Sequence, residues 1–373
     1  MIPPSALQRF ICMSLLACLA QTDFAGSPAH APADTDFPLV HTRHDPDGLP
    51  IVVVVAQREA VMSDFLVPYG VLSQSGAARV IAVNIDRGPL KTGAFKVTPD
   101  MTATQFDHAY PGGADYVIVP ATADRHAEEL TWLRKQRTRG AAMVSICDGV
   151  SPLAEIGALD GRKATGHWAS LRDRRKHYPG VSWKTNVRYV ADGDVASSAG
   201  VSAALPISLA LVGSIAGPQI ARETASRLGV NGWNATHDSD IFKVRPDDIA
   251  VHEANMRAKP DVVAIMLHDG DDEVALSLHA EAWSRTMRNK VIAVSSLGGP
   301  MRLHGGLRVE TQATASVPAD IGISLQDAAP AGRALAAELD AVAARYGVGT
   351  ARLSALGSEY PWGDLGAPPA LLP

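Results

Sequence analysis

The stretch Ala142-Met143-Val144-Ser145-Ile146-Cys147-Asp148-Gly149-Val150-Ser151-Pro152-Leu153 decides how this chain is read. A short apolar run stops at a cysteine, an acid and a glycine and then passes into helical spacing, which spells strand, sharp turn and helix N-terminus. Backbone N–H groups and the positive end of a helix dipole gather at such an elbow and favour an anion. A cysteine held there ionises more easily than its reference value of about 8.5 allows. Free cysteines are also among the most buried residues, and the local pattern alone leaves a core cysteine and a reactive one equally open.

Upstream, Ile51 to Ala56 (IVVVVA) is a continuous β-branched run of the kind found in a parallel strand covered on both faces. Val61 to Gly76 has helical spacing and ends on a glycine suited to a C-cap. Val80 to Asn84 and Tyr116 to Pro120 are further strands, and Ala127 to Arg139 is a helix leading into the strand that carries Cys147. Downstream, Val187 to Val190 and the turn at Asp192-Gly193 precede an apolar helix from Val201 to Ala216. That helix is shorter than the ~20 residues a membrane span needs, which favours a buried core helix. Strands alternating with helices give an α/β fold with a mostly parallel sheet. Ligands of such sheets gather at the carboxyl ends of the strands, where Cys147 falls.

At 373 residues the chain has the length of two domains, and 46% hydrophobic with 20% charged residues is ordinary for a soluble globular protein. A net charge of −5 gives no electrostatic footprint for nucleic acid. The basic run Arg172-Asp173-Arg174-Arg175-Lys176 is short, broken by an acid and read as a solvated loop. Cys12, Cys18 and Cys147 make no zinc spacing with histidine, so no metal and no cofactor are expected.

Residues 1–31 have the pattern of an export signal: Arg9, then the apolar run Phe10 to Ala20, then a small-x-small site at Ala29-His30-Ala31. Leu15-Leu16-Ala17-Cys18 alternatively resembles a lipobox, in which Cys18 would carry a lipid anchor. Either version places the mature protein in the periplasm or on a membrane; a cytoplasmic protein with an apolar tail is the remaining reading. Residues 32–50 are rich in Pro, Asp, His and Thr and read as a linker.

From Ile51 to about Gly229 the chain resembles the ThiJ/PfpI superfamily, whose fold is that of the class I glutamine amidotransferases. The resemblance rests on ordered motifs: the elbow with Cys147, the run CDGVSPLAEIGALDGRKATGHW from Cys147 to Trp168, and Tyr189-Val190, Asp192-Gly193 and Ser198-Ala199-Gly200-Val201-Ser202-Ala203. It is closest to isonitrile hydratases and to the sensor domains of AraC-type regulators. The resemblance implies a flavodoxin-like sandwich over residues 51–235, with Cys147 as nucleophile. It also implies that Asp64, four residues before Pro68, is an acid approaching the sulfur; a protonated Asp64 donating a hydrogen bond would lower the thiol pKa. Backbone amides at Ala121 and Asp148, beside Gly149, would form an oxyanion hole. Read without the family, Asp64 is a solvated first-turn acid. His167 falls on the family's histidine position, at the pocket or as a hydrogen-bonded structural residue. The peptidase-like members carry histidine after the nucleophile where this chain has Asp148, which argues against proteolysis.

Residues 236–373 carry no evident helix-turn-helix pair. Instead Val262 to Leu303 lies on Ile51 to Thr92 without a gap, at an offset of 211 (262 − 51), so a second, smaller α/β unit is expected as a degenerate partial repeat. Position 275 in that register is Ala275, and the acid is lost. A looser register brings Ala336 to Ala355 onto Ala127 to Ile146, where Leu356 meets Cys147 and the copy stops near its own elbow. The run His268-Asp269-Gly270-Asp271-Asp272-Glu273 lacks the ligand order of a calcium loop and reads as a solvated helix start.

These readings converge on an exported protein in which Cys147 acts on, or senses, a small electrophilic molecule, as a hydrolase or hydratase would. The alternative is a non-catalytic module that binds a ligand or registers an oxidant at Cys147. A small-molecule ligand is expected in both, in a monomer built as an intramolecular pseudo-dimer or in a homodimer.

Overall fold

The computed structural model describes residues 48–123 and 126–365. The expected export signal, Cys12, Cys18 and linker residues 32–47 lie outside them. The chain begins with β1 (Ile51–Ala56), β2 (Glu59–Ala60), α1 (Met62–Ser75), β3 (Arg79–Asn84), β4 (Leu90–Thr92), β5 (Phe95–Thr98) and β6 (Met101–Thr102). It continues through α2 (Ala103–Ala109), β7 (Tyr116–Val119), α3 (Ala127–Thr138) and β8 (Ala142–Ser145), which leads into the elbow. After the elbow come α4 (Val150–Glu155), β9 (Lys163–Ala164), α5 (Leu171–His177), β10 (Ser182–Trp183), β11 (Tyr189–Asp192), β12 (Val195–Ser198), α6 (Ala204–Ala216) and α7 (Pro218–Arg227). The second half adds α8 (Pro246–Arg257), β13 (Asp261–Met266), α9 (Glu273–Ser284), β14 (Asn289–Ser295), β15 (Gly299–Arg302), β16 (Arg308–Ala313), β17 (Ile321–Ser324), α10 (Ala331–Tyr346) and α11 (Val348–Ser358).

The protein is α/β, with two mixed, mostly parallel sheets flanked by helices. The first sheet runs β11-β12-β8-β7-β1-β3-β6, and only β11 and β12 pair antiparallel in it. β1 lies inside this sheet, and its alternation is visible in the packing. Ile51, Val53 and Val55 enter one core cluster while Val52, Val54 and Ala56 enter another. A strand buried on both faces needs apolar residues at every position, as the IVVVVA run provides. Among the described residues no helix is long and apolar enough to cross a membrane; α6 packs against α1 instead.

The second sheet runs β17-β13-β14-β16-β5-β4-β2. Its β2, β4 and β5 come from the first half of the sequence, so a division at residue 235 does not separate the sheets. β16 pairs antiparallel with β5, Arg308 opposite Thr98 and Val309 opposite Val97. The offset of 211 carries Val97 to Arg308 and Thr98 to Val309, and so turns each of these pairs into the other. That exchange is the mark of a two-fold contact, here formed within one chain. α1 and α9 obey the same operation. Ser63 Oγ donates to Glu281 Oε2 at 2.8 Å, and the offset turns this pair into Val274 and Gly70. These two also touch: a Cβ on Gly70 would stand 2.6 Å from Val274 Cγ2.

The structure corrects the end of the alignment. Gly217 joins α6 to α7 at φ 89° and ψ 164°, and Gly347 joins α10 to α11 at φ 89° and ψ 159°. α6 packs on α1 as α10 packs on α9. α10 and α11 therefore correspond to α6 and α7 at an offset of 130 (347 − 217), and Leu356 lies inside a helix, not at an elbow. The helical spacing shared by α3 and α10 misled the looser register, because helices align with each other whatever their place in a fold. Glu273 is also not solvated. Asp272 caps α9 by accepting from Val274 N at 2.8 Å, and Glu273 behind it is fully buried.

Candidate active site at the Cys147 elbow

β8 is buried along its whole length and delivers Cys147 with φ 57° at the head of a single 3-10 turn, Cys147–Gly149, from which α4 follows. A non-glycine residue in this left-handed region costs on the order of 1–3 kcal/mol, and persists only where the surroundings enforce it. Two contacts enforce it here. Cys147 N donates to Ala199 O at 3.1 Å, and Gly149 passes so near β7 that a Cβ on it would lie 2.0 Å from Val119 O. Gly149 thus permits the close approach of backbones that makes the turn possible.

Asp64 stands in the first turn of α1 and is fully buried, not solvated. Its Oδ2 accepts from Ala121 N at 3.2 Å, while its Oδ1 has no partner. Burial and the nearby Glu281 carboxylate push the Asp64 pKa well above its ordinary value, favouring the protonated acid. The Ala121 amide, expected at an oxyanion hole, is therefore engaged by Asp64. No hydrogen bond joins Asp64 to the Cys147 thiol, which corrects the expected lowering of its pKa. Burial, followed by the Asp64, Asp148 and Glu359 carboxylates, pushes the thiol well up, with only Arg285 opposing.

The Asp148 side chain is engaged in a buried ion pair. Its Oδ1 accepts from Arg174 at 3.1 Å and from Ser170 Oγ, and both charged side chains are nearly buried, at 9% and 3% exposure. Arg174 also donates to His167 O at 2.8 Å. The basic run 172–176 is therefore part of helix α5, with one member turned inward as the counter-ion of the residue beside the nucleophile. His167 is buried. Its Nδ1 accepts from Ala169 N at 3.3 Å, which caps the following turn, while its Nε2 has no partner. Burial depresses its pKa, so the ring is neutral and carries its proton on the unpartnered Nε2.

The site is bounded by residues from the second half as well. Arg285 of α9 donates to Glu281 Oε1 at 2.6 Å and to Gly357 O at 2.6 Å, and Glu281 in turn accepts from Ser63 N, next to Asp64, at 3.1 Å. Glu359, after α11, accepts from Trp168 N at 3.1 Å, Gly200 N at 2.7 Å and His237 Nε2 at 2.9 Å. Sequence reasoning missed Arg174, Glu281, Arg285 and Glu359. For the first the signal was hidden in a charge run, and for the others it lies more than a hundred residues from the elbow. Among the described residues no group of three or more His, Cys, Asp or Glu side chains could hold a metal ion.

The arrangement is thus a buried, unpaired thiol, a carboxyl favouring its proton and a neutral imidazole.

Residues 50–213 match the DJ-1/PfpI family. The chain is 30% identical over 152 residues to isonitrile hydratase from Pseudomonas putida, covering 41% of this chain and 63% of that protein. It is 36% identical over 113 residues to the HTH-type transcriptional regulator CdhR from Pseudomonas aeruginosa, covering 30% of this chain and 33% of the regulator. The chain thus spans about a third to under two thirds of these relatives. Among solved structures, a ThiJ/PfpI family protein from Pseudomonas syringae is 22% identical, with a TM-score of 0.43 over 52% of this chain and 83% of that one.

Proposed function

We propose, from the DJ-1/PfpI family domain of residues 50–213, that Cys147 acts on a small electrophilic molecule in the manner of a hydratase or amidohydrolase. The left-handed Cys147 at the elbow, with its thiol unpaired beside Asp64, is the observation that carries the reading. In the proposed reaction the S–H adds across an unsaturated carbon: sulfur bonds the carbon and Asp64 relays the proton to the substrate. Water then adds to the same carbon, the C–S bond breaks, and the proton returns to the sulfur. His167 Nε2, a buried donor with no partner, is placed to bind the oxygen or nitrogen of the substrate.

Alkylation of the full chain by iodoacetamide across pH tests the thiol. The expected profile has a midpoint above the ordinary cysteine value, moving down in Asp64→Asn because a neighbouring carboxylate has gone. A thiol that stays unmodified at every pH at which the chain remains folded would remove the reading. A panel of isonitriles, amides and α-oxoaldehydes identifies the substrate class. A second reading, ligand binding or oxidant sensing without turnover, is favoured by the likeness to a transcriptional regulator; mass gain at Cys147 after peroxide with no turnover of the panel would select it.

Export belongs to the same proposal, with the mature chain starting after Ala31 or at a lipidated Cys18; the intact mass of the natively produced protein distinguishes the two. So does the division into residues 51–235 and 236–373, the second standing where a partner subunit would otherwise pack. A monomer by light scattering is the expected outcome, and a dimer joined through two first halves would contradict it.

A further inference from the structure

The two helical pairs related by the offset of 130 end differently. Twelve residues after Gly217 stands Gly229 with φ 70°, and twelve residues after Gly347 stands Glu359 with φ 50°. The first unit uses glycine where the chain turns left-handed; the second uses a glutamate there and bears the steric cost. Nothing about ending a helix calls for that exchange. Glu359 is fully buried, and both its carboxylate oxygens are used.

The bonds it makes point at the elbow. The peptide between Ala199 and Gly200 is clamped from both sides: its C=O accepts from Cys147 N at 3.1 Å, and its N–H donates to Glu359 Oε2 at 2.7 Å. The same oxygen holds Trp168 N at 3.1 Å, and Trp168 Nε1 donates to Leu356 O at 3.0 Å. The segment beside His167 is thus pinned to the end of α11. Gly200 lies so close to both partners that a Cβ on it would stand 2.6 Å from the His167 ring and 2.7 Å from Glu359 Cβ. We propose that Glu359 is a positioning residue of the Cys147 site, supplied by the second unit, which holds peptide 199–200 against the nucleophile and the His167 ring beside it.

The inference rests on the functional reading of Cys147 and adds a purpose for the second unit: it completes the site of the first within one chain. Burial pushes the Glu359 carboxyl up, but the bond from His237 and the neighbouring imidazoles outweigh it and hold it below its ordinary value. Its charge is one of those holding the thiol up.

Two variants of the full chain separate position from charge. Glu359→Gly copies Gly229 and removes the backbone strain, so it folds; Glu359→Gln keeps an oxygen for the two N–H groups and loses the charge. In the iodoacetamide titration, Glu359→Gln is expected to keep the limiting rate at high pH and to move the midpoint down. Glu359→Gly is expected to change the limiting rate by about tenfold or more as well, because the elbow loses its brace. A purely structural cap would leave the limiting rate of Glu359→Gly at that of the wild type, and an unchanged limiting rate overturns the inference while the reactive thiol preserves the functional reading. A wild-type thiol that stays unmodified at every pH at which the chain remains folded overturns both.

Discussion

α1 and α9 meet face to face across the pseudo-two-fold, and the comparison between them shows how a duplicated scaffold has divided its labour. α1 carries Ser63 and Asp64 toward the elbow; the related positions of α9 are Val274 and Ala275. α9 carries Glu281 and Arg285 as a buried ion pair; the related positions of α1 are Gly70 and Gln74. What has been kept is the packing of helix on helix. What has diverged is polarity: one helix bears the acid of the site, the other bears the charges that surround that acid. The first unit possesses the elbow, and the second possesses part of its electrostatic lining.

The comparison can be broken most forcefully at Arg285. With both side chains at 5% exposure, Arg285→Met strands the Glu281 carboxylate and should cost about 3–5 kcal/mol by urea unfolding. Adding Glu281→Leu should recover most of that loss. A single variant as stable as the wild type would show that the pair does not hold the helices together.

Glu273, at the start of α9, tests the same interface through pH. Burial pushes its carboxyl up from 4.5 to about 7. A folded pKa above the unfolded one means that the stabilisation it provides is complete below about pH 4.5 and is lost as the pH rises through about 7. Glu273→Gln should remove that slope, a difference of about 3 kcal/mol between the two ends of the window. Parallel stability profiles for variant and wild type would refute it.

Next comes Gly70→Ala, whose methyl would meet Val274 Cγ2 at 2.6 Å and Glu273 Cγ at 2.7 Å; overpacking of this kind costs about 1–3 kcal/mol. Gly213→Ala on α6 is the control, since its methyl would meet only Ala221 Cβ, at 3.6 Å, and should be neutral or stabilising by up to about 1 kcal/mol. Equal losses in the two would locate the effect in helix propensity rather than in the interface.

At Asp64 burial raises the folded pKa, so at neutral pH the buried acid detracts from stability, and Asp64→Asn should raise the melting temperature there and leave it unchanged near pH 3. A lowered melting temperature would mean that the carboxyl is ionised and paired in the folded protein.

Much of this was legible from residues near one another in sequence. The elbow announces itself because a strand, a turn and a helix start within twelve residues, and the offset of 211 is visible because β1-α1-β3 and β13-α9-β14 share spacing without a gap. Asp64 and His167 follow from the resemblance; Asp64 is buried close enough to act on the Cys147 thiol, and His167 is buried against Gly200. The site's electrostatics were not legible. Arg174 looks solvated among its charged neighbours until α5 turns one of five residues inward. The Ala121 amide looks free until Asp64 takes it. Glu281, Arg285 and Glu359 act across contacts whose sequence separation no local pattern encodes. Leu356 was set at an elbow because apolar spacing records that a segment is helical but not which helix of the fold it is.

The pairing of β5 with β16 has a consequence for any fragment of this protein. Phe95–Thr98 is followed along the sheet by strands from residues 261–324, so a polypeptide ending at residue 235 would present its row of N–H and C=O groups to solvent. A bare strand edge of that kind recruits another chain and seeds aggregation. The second unit therefore also works as a cover: whatever it adds to chemistry, it ends the search of that strand for a neighbour before another molecule can supply one.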